Sequence, residues 1–287
     1  MKVLITGANG FSASYLISLL SNESQLQLFC TDLQCKDDKA WHPCDLADYK
    51  AVYHLLDRTR PQQIYHLAGS FSNEYEIDYR VNVLSTKNIL DNCLRLNLNC
   101  RVLLIGSSAE YGIVSQRDNP VKEDHPLNPV SIYGLTKTYQ THLMQYYHNV
   151  HNTDIVMART FNIMGKGISN RLFIGRIYEQ IDEYKKGNIP KIILGNLQNN
   201  RDYIDIKEAV KDYKLIMEYG VAGEIYNVGS GKSIKIYDLL NKILNENYLS
   251  MDVVEEKHTD HLNKLDIKDI YADITKLSSL SKDCDDI

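Results

Sequence analysis

The chain has 287 residues, 44% of them hydrophobic and 24% charged, which is enough for one large domain or two lobes. A net charge of −5 and the lack of any basic run argue against nucleic acid as a partner. No apolar run approaches the roughly 18 residues of a membrane span, so we expect no membrane partner either.

The N-terminal stretch MKVLITGANG predicts no secretory signal, because Thr6 and Gly7 interrupt its apolar residues early. The six cysteines lack the paired spacing of a metal site, so we predict no metal ion and free, buried thiols rather than disulfides. The predicted compartment is the cytoplasm.

Short apolar runs alternate with helical patterns through the first half of the chain. The apolar runs predict strands at Lys2–Thr6, Leu26–Thr31, Gln63–Leu67, Arg101–Ile105 and Asp154–Ala158. Helical patterns follow the first strand through Leu20 and then cover Ile77–Leu96 and Ser131–Val150. This alternation predicts an α/β fold, a doubly wound parallel sheet of the Rossmann type with helices on both faces.

After the fifth strand the alternation degrades, and Gly and Asn become frequent in stretches that suit loops around a pocket. We therefore predict a dinucleotide-binding domain over residues 1–160, to which residues 203–228 return. Residues 161–202 and 229–287 are predicted to form a smaller C-terminal substrate-binding lobe.

The stretch TGANGFSASYL, residues 6–16, lies between the first strand and the first helix. Gly7 permits a tight turn, Gly10 lets the backbone approach a pyrophosphate, and Ala13 allows close packing of helix on strand. The diphosphate would rest on the helix N-terminus, where the dipole is positive. The alternative is a plain strand–turn–helix in which the glycines serve only the geometry of the turn. We predict dinucleotide contacts from Gly7, Asn9, Gly10, Phe11 and Ser12.

An acidic residue, Asp32, ends the second strand in LFCTDLQ. Such a side chain can accept hydrogen bonds from the adenosine ribose hydroxyls and would repel a 2′-phosphate. Asp32 therefore favours NAD(H) over NADP(H), and Lys36 nearby keeps NADP(H) open as the alternative. Asp45 and Leu46, after the next short segment, are candidates to contact the adenine edge.

The stretch GSGKS, residues 229–233, resembles the end of a phosphate-binding P-loop. That motif needs a glycine five residues before its Gly-Lys pair, and Tyr226 occupies the position. We therefore predict a strand, a turn and a helix at Ile236–Leu244 instead of a nucleotide-hydrolysing site.

The stretch SIYGLTK, residues 131–137, places Tyr133 four residues before Lys137, on one face of the predicted helix. A nearby ammonium lowers the pKa of a phenol toward neutral, which suits acid–base catalysis. The stretch LLIGSSAEYG brings Ser107 and Ser108 to the carboxyl end of the fourth strand, where open α/β sheets bind ligands. The alternative for Tyr133 and Lys137 is that they are merely neighbours on a solvated helix. The alternative for Ser107 and Ser108 is that they cap the end of the strand.

The motifs GANGF, SSAEYG and SIYGLTK, in this order, resemble the extended short-chain dehydrogenase/reductase family over nearly the whole chain. The resemblance implies that Tyr133 is the catalytic acid/base and that Lys137 lowers its pKa and holds the nicotinamide ribose. It also implies that Ser107 hydrogen-bonds the reacting oxygen, a role that passes to Ser108 if the register differs by one residue. Tyr133 and Lys137 thus count among the implied cofactor contacts as well.

The stretch HLAGS, residues 66–70, resembles the loop after the family's third strand, which walls the cofactor. Asn82 lies where the family often places a residue near the active site. The implied cofactor contacts therefore include Leu67, Ala68, Gly69 and Asn82. His66 is interpreted as a core histidine without a chemical role.

Asn162 in RTFNIMG and the segment LGNLQNNRDYIDI resemble enzymes that act on GDP-linked 6-deoxyhexoses. Arg201 in that segment would pair with the substrate diphosphate, since a guanidinium fork suits phosphate oxygens. A surface ion pair with Asp202 or Asp205 is the alternative. The predicted substrate contacts are Ser70, Ser108, Ala109, Glu110, Asn162, Arg171, Asn196 and Arg201.

Dehydratases of this family carry an acid/base pair just after the catalytic serine, and here Ser108 and Ala109 occupy those positions. Alanine cannot move a proton, so we predict no dehydration, with Glu110 one place later as the open alternative. The late segment HLNKLDIKDIYADITKL lacks the family's arginine, and the candidates to replace it are His258, His261 and Lys264.

The resemblance thus implies NAD(P)H-dependent reduction of the C4 ketone of a nucleotide-linked 4-keto-6-deoxy sugar. A nucleotide-sugar 4-epimerase, which uses the same residues without net cofactor consumption, is the first alternative. A noncatalytic dinucleotide-sensing module is the second. The family also implies a homodimer formed through the helices around residues 77–96 and 131–150.

Overall fold

The computed structural model describes residues 1–257 and 267–282. Within these ranges the strands are β1 (Lys2–Thr6), β2 (Gln27–Asp32), β3 (Trp41–Pro43), β4 (Gln63–His66), β5 (Arg101–Ser107), β6 (Ile155–Thr160), β7 (Asn162–Met164), β8 (Ile192–Leu194), β9 (Asn200–Arg201), β10 (Tyr203–Asp205), β11 (Ile225–Val228), β12 (Ile234–Lys235) and β13 (Val254–Glu256). The helices are α1 (Phe11–Leu20), α2 (Tyr49–Thr59), α3 (Tyr75–Asp78), α4 (Ser85–Arg95), α5 (Ile132–His151), α6 (Phe173–Lys185), α7 (Ile206–Tyr219), α8 (Ile236–Glu246) and α9 (Thr275–Lys282).

Seven strands form one central sheet in the order β11-β6-β5-β4-β1-β2-β3. All of its strand pairings are parallel. The strand order reverses between β1 and β4, and a ligand crevice is expected at this point, at the carboxyl ends of the strands. The predicted α/β fold of the Rossmann type is therefore confirmed.

The central sheet has a hydrophobic core on each face, because neighbouring side chains of a strand point to opposite sides. Val3 and Ile5 of β1 belong to one core, where Leu16 of α1 and Ile216 of α7 are also buried. Leu4 belongs to the other core, which includes side chains from α2, α4 and α5. Burial on both faces explains why the strands read as continuous apolar runs.

A third core lies outside the central sheet and joins α6, β8 and α8. Ile177, Ile192 and Leu240 are fully buried there. Three two-stranded sheets accompany it, pairing β7 with β10, β8 with β13 and β9 with β12. The second half of the chain thus buries apolar surface of its own, while β11 returns to the central sheet beside β6.

The predicted helix at Ile77–Leu96 is interrupted in the structure. It consists of α3, a π-helical segment at Tyr79–Leu84, and α4. Wider π-helical turns are frequent at functional sites, and this one carries Asn82. The sequence pattern also missed β3, whose three residues are too few for a periodicity signal.

The five described cysteines are free, and four of them are buried, as predicted. The sixth, Cys284, lies outside the described residues.

Across residues 1–257 and 267–282, no helix has both the length and the apolar character that crossing a lipid bilayer requires. The same residues contain no group of three or more His, Cys, Asp or Glu side chains arranged to hold a metal ion.

Candidate active site

The turn between β1 and α1 has the geometry of a phosphate cradle. Gly7 adopts a φ of +63°, and a Cβ on it would lie 2.7 Å from the Ala68 backbone, so only glycine fits. Gly10 is the N-cap of α1 and provides no side chain to cap the first amides of the helix. Those amides and the positive end of the helix dipole suit a diphosphate, which fits the predicted dinucleotide.

A cleft of about 390 Å³ opens at the carboxyl ends of the central strands, beside this turn. Residues from five separate stretches of the chain meet in it. Those predicted to contact the cofactor are Gly7, Gly10, Asp32, Asp45, Leu46, Leu67, Ala68 and Gly69. A second cavity of about 480 Å³, between α6 and α8, is lined by none of these residues.

Asp32 is fixed next to the glycine turn. Its carboxylate accepts hydrogen bonds from the amides of Asn9, at 3.0 Å, and Leu33, at 2.8 Å. A carboxylate has further lone pairs beyond these two bonds, so ribose hydroxyls can still donate to it. Lys36 has its ammonium 4.9 Å from the centre of the Trp41 ring. The position of Asp32 beside the glycine turn suits a carboxylate that accepts hydrogen bonds from the ribose of NAD(H).

Arg80 is a cleft residue that the sequence interpretation missed. Its guanidinium lies 2.5 Å from the Asp45 carboxylate, and both side chains line the cleft. The two residues are 35 positions apart and come from different elements, so no local pattern links them. Arg80 adds a positive charge at the end of the cleft where the adenine was predicted.

The helix α5 carries the predicted catalytic tyrosine, Tyr133, in its first turn. Ser131 caps the helix by accepting a hydrogen bond from the Gly134 amide at 3.0 Å. A Cβ on Gly134 would lie 2.4 Å from the Ala109 carbonyl oxygen, so glycine lets α5 pack closely beside the end of β5. As a result, the Ser107 hydroxyl hydrogen-bonds Tyr133.

The pKa of Tyr133 differs from the prediction. Burial raises the pKa of Tyr133 to about 12, and the hydrogen bond from Ser107 only partly opposes this rise. Lys137 was expected to lower the pKa, but its ammonium is 6.0 Å from the centre of the Tyr133 ring and is bonded elsewhere. The phenol of Tyr133 is therefore protonated at neutral pH.

Lys137 is almost completely buried, with 4% of its surface exposed. Its ammonium donates to the Ile105 carbonyl at 2.9 Å and to Gln140 Oε1 at 3.1 Å. An ammonium has three donors, so one remains for a ligand. A Cβ placed on Gly69 would lie 3.5 Å from Lys137 Nζ, which shows that the ammonium borders the cleft at Gly69. Burial lowers the pKa of Lys137 to about 8.

This lowered pKa predicts that dinucleotide binding weakens in mild alkali. Below pH 8 the Lys137 ammonium is charged and can hold a ribose hydroxyl; above pH 8 it loses its proton. By linkage, the Kd for NADH should be constant from pH 6.5 to 7.5 and rise by up to about tenfold per pH unit above 8. Fluorescence titration measures this Kd. A Lys137→Met variant should bind more weakly and without the rise, and a flat wild-type profile to pH 9.5 would contradict the role.

Glu110 does not contact the substrate cleft, contrary to the prediction. It is fully buried, and its carboxylate accepts bonds from the Ser107 amide at 2.7 Å and Thr141 Oγ1 at 2.6 Å. The Arg159 guanidinium lies 3.0 Å away. Ser107 and Glu110 form a capping box around the short helix Ser108–Glu110, so the S-x-x-E spacing was the sequence signal for a structural role.

Asn82 is likewise buried beneath the cleft and does not line it. Its Oδ1 accepts from the Ser70 amide at 2.8 Å, and its Nδ2 donates to the Ser70 carbonyl and to Thr136 Oγ1. The predicted direct contact with the cofactor is therefore replaced by a bracing role, which holds the loop at Ser70 in place.

His66 is bonded to Thr6 and Thr86 and fully buried, which confirms it as a core histidine.

Four predicted substrate residues belong to the second half of the chain. Arg171 is exposed, and its guanidinium lies 5.0 Å from the centre of the Phe71 ring. Asn162 donates to the Asp202 carbonyl at 3.0 Å, and Asn196 is exposed and accepts from the Gln198 amide. Arg201 donates to the carbonyls of Asn200 and Ile267. The late candidates His258, His261 and Lys264 lie outside the described residues.

The GSGKS turn binds a carboxylate of the protein itself. The amides of Ser230 and Gly231 donate to the buried Asp202 at 2.7 and 3.1 Å, and Ala272 adds a third amide at 3.1 Å. A nest of amides is suited to an anion, and here the anion is an internal side chain. This arrangement agrees with the prediction that the stretch is not a P-loop.

Residues 3–229 match the model of a family described as the NAD dependent epimerase/dehydratase family. A GDP-6-deoxy-D-talose 4-dehydrogenase of Aggregatibacter actinomycetemcomitans is 27% identical over 283 residues, covering 96% of this chain and 90% of the relative. A GDP-6-deoxy-D-mannose reductase of Pseudomonas aeruginosa is 27% identical over 264 residues, covering 89% of this chain and 83% of the relative.

Solved structures share the fold at lower identity. RMD from Pseudomonas aeruginosa, complexed with NADPH, has a TM-score of 0.84 at 21% identity and covers 98% of this chain and 91% of its own. UDP-glucose 4-epimerase from Thermus thermophilus, complexed with NAD, has a TM-score of 0.83 at 20% identity, with coverages of 98% and 93%. These likenesses in fold extend over nearly the whole chain.

Proposed function

The chain belongs to the NAD dependent epimerase/dehydratase family, enzymes of the short-chain dehydrogenase/reductase type that modify nucleotide sugars, and we propose that it is a C4-ketone reductase. The proposed substrate is a nucleotide-linked 4-keto-6-deoxy sugar, foremost GDP-4-keto-6-deoxy-D-mannose, and the proposed product is GDP-D-rhamnose. The observation that carries the proposal is the position of Tyr133 beside Ser107 at the carboxyl end of β5, where the phenol can donate a proton to a new alkoxide.

The proposed mechanism uses three side chains at the carboxyl end of β5 and the start of α5. When bound, the dinucleotide supplies the hydride for C4. Ser107 orients the carbonyl oxygen, and Tyr133 gives it a proton as negative charge develops there. Lys137, whose ammonium borders the cleft at Gly69, would hold the nicotinamide ribose. General acid catalysis of this kind contributes about 10²- to 10⁴-fold, and alignment of the reactants supplies much of the rest.

The proposed cofactor is NADH, with NADPH as the alternative. The family uses NAD(P), and the glycine turn and the first amides of α1 fit the diphosphate that both forms share. Asp32 supports NADH, because its carboxylate would repel a 2′-phosphate at the ribose. Of the predicted cofactor contacts, Asn9, Phe11 and Ser12 belong to the same turn and first helical turn.

The proposed nucleotide is GDP. Both curated relatives named above carry GDP-linked 6-deoxyhexoses in their names, and both names describe redox chemistry on such sugars. We propose that Asn162, Arg171, Asn196 and Arg201 contact the nucleotide sugar, together with Ser70, Ser108 and Ala109 near the reacting carbon. Hydride addition to the other face of the same ketone would give the C4 epimer, 6-deoxy-D-talose, so the product also needs to be identified.

Different observations separate the alternatives. A 4-epimerase would use the same Ser107, Tyr133 and Lys137 without net consumption of the dinucleotide, so the cofactor stoichiometry distinguishes it from a reductase. A dehydratase needs a further acid/base group, whereas Glu110 is buried in an ion pair with Arg159. A noncatalytic sensing module would not require the Ser107–Tyr133 hydrogen bond that the structure contains.

The test is a stoichiometric assay with defined sugars. The protein is incubated with GDP-4-keto-6-deoxy-D-mannose or dTDP-4-keto-6-deoxy-D-glucose and with NADH or NADPH. A reductase consumes one reduced dinucleotide per sugar, and NMR of the product assigns the configuration at C4. An epimerase would interconvert 4-epimers such as UDP-glucose and UDP-galactose without net oxidation. Bound dinucleotide with no turnover on this panel would support the sensing module instead.

We also propose that residues 1–160 and 203–228 form the dinucleotide domain and that residues 161–202 and 229–287 form the substrate lobe. The separate core around α6, β8 and α8 supports this division. The return of β11 to the central sheet also supports it, since β11 lies within residues 203–228.

A homodimer is proposed through the faces of α3, the π-helical segment at Tyr79–Leu84, α4 and α5. Exposed apolar side chains there include Tyr79 and Tyr146, with 37% and 54% of their surfaces exposed. Sedimentation equilibrium should give twice the 32.9 kDa chain mass. Tyr79→Glu and Tyr146→Glu should each shift the protein toward the monomer, because an interface core excludes charge. Tyr248→Glu, at a 97% exposed tyrosine elsewhere, is the matched control. A monomeric wild type would refute the dimer.

A further inference from the structure

Phe71 lies between the catalytic tyrosine and an arginine of the second lobe. Its ring packs edge-on against Tyr133, with ring centres 6.4 Å apart and planes at 78°. The Arg171 guanidinium carbon lies 5.0 Å from the centre of the Phe71 ring. The Phe71 ring therefore lies against both Tyr133 and Arg171, which come from different parts of the chain.

The backbone on the N-terminal side of Phe71 is held rigidly. Ser70 exchanges two hydrogen bonds with the buried Asn82: its amide donates to Asn82 Oδ1, and its carbonyl accepts from Asn82 Nδ2, both at 2.8 Å. Such a reciprocal pair fixes the position of the peptide groups that lead into Phe71.

The backbone on the C-terminal side is held as well. The amides of Ser72 and Asn73 both donate to the buried Asp78 carboxylate at 2.9 Å. Asn73 Oδ1 in turn accepts from the Tyr133 amide at 3.3 Å. Phe71 is thus presented between two fixed segments and is tied to the start of α5. The backbone is therefore fixed on both sides of the Phe71 ring.

Arg171 is exposed, and within the described part of the chain it makes no ion pair with a carboxylate. Its position is set by the face of the Phe71 ring, since a guanidinium stacks favourably on an aromatic face. Stacking uses the face of the guanidinium and leaves its N–H donors at the edge. Those donors form the planar fork that binds phosphate oxygens in pairs.

We propose that Phe71 is a positioning residue, which holds Arg171 beside Tyr133 so that the guanidinium binds the diphosphate of the substrate. The proposal rests on the proposed function for the identity of the substrate as a nucleotide sugar. In such a sugar the diphosphate and C4 lie on opposite sides of one pyranose ring. Arg171 is separated from Tyr133 by the Phe71 ring. It can therefore contact the diphosphate while Tyr133 contacts the oxygen at C4.

The test separates a positioning role from mere packing. Binding of GDP to protein saturated with NADH is measured by titration calorimetry, with UDP and dTDP as further probes. Arg171→Gln should weaken GDP binding by about 10-fold or more, since a charge-assisted pair is lost. Phe71→Leu, which keeps an apolar side chain but removes the ring face, should weaken it by about two- to fivefold. Phe71→Tyr keeps the face and should restore it.

The double variant is decisive, because Phe71 is proposed to act through Arg171. Phe71→Leu combined with Arg171→Gln should bind GDP no more weakly than Arg171→Gln alone. In turnover, Phe71→Leu should raise KM for the keto sugar while kcat stays within about threefold. Unchanged GDP affinity in Phe71→Leu, or fully multiplicative losses in the double variant, would overturn the proposal. Binding of nucleoside diphosphates is measurable even if no keto sugar is reduced, so failure of the proposed function is recognised separately.

Discussion

Replacing Tyr133 by phenylalanine should lower kcat for the reduction of the keto sugar by about 10²- to 10⁴-fold. The phenol is the group that the structure places on the Ser107 hydroxyl, and its raised pKa keeps its proton available at neutral pH. Phenylalanine fills the same space without the proton. The Kd for NADH and the KM for the sugar should each change by no more than about threefold, because the substitution removes an interaction of the transition state.

Two comparisons make this result specific. Tyr146→Phe alters an exposed tyrosine of the same helix and should leave kcat unchanged. Tyr133→Phe should also abolish any dependence of kcat on the ionisation of the phenol. If Tyr133→Phe retained more than a tenth of wild-type turnover, another group would be the proton donor and the assignment would fail.

The parts of the site that follow from local geometry could be predicted from the sequence. Gly7 needs a positive φ and close approach to Ala68, and only glycine satisfies both, so the residue type itself reveals the turn. The spacing of Tyr133 and Lys137 fixes them on one face of α5. The order of strands and helices similarly predicts the parallel sheet, and that sheet places Ser107 at its carboxyl edge.

The parts that depend on distant partners could not be predicted. The spacing places Lys137 on the same face of α5 as Tyr133, but it does not reveal that the ammonium is bonded to Ile105 and Gln140 instead of lying against the phenol. Phe71 had no sequence signal, because its neighbours in space come from α5 and from the loop before α6. Tertiary contacts of this kind decide whether a side chain is a ligand contact or a support.

Glu110 shows how a support can resemble a catalytic group. In sequence it stands three residues after Ser107, close to where dehydratases of the family carry their acid/base pair. In the structure it binds the Ser107 amide, and through Thr141 and Arg159 it connects the end of β5 to α5 and β6. A Cβ on Gly106 would lie 2.7 Å from Glu110 Oε1, so glycine makes room for this carboxylate. Its effect on catalysis is therefore exerted through the position of Ser107.

Glu110→Gln should destabilise the folded protein by about 3–5 kcal/mol. Arg159 has 1% of its side chain exposed and Glu110 has none, so the amide leaves a buried guanidinium without its countercharge. The midpoint of thermal unfolding should fall by on the order of 10 °C. The matched control is Glu224→Gln, which removes an ion pair with Lys276 in which the carboxylate is 49% exposed. That change should cost no more than about 1 kcal/mol.

The same variant separates the structural role of Glu110 from a catalytic one. If Glu110 only supports Ser107, folded Glu110→Gln protein assayed at low temperature should retain turnover within about tenfold of wild type, because Tyr133 and Lys137 are unchanged. If Glu110 were an acid/base group, stability would stay near wild type while turnover fell by about 10²-fold or more. This second result would contradict the assignment and reopen dehydration as the reaction, since the carboxylate would then have to reach the sugar.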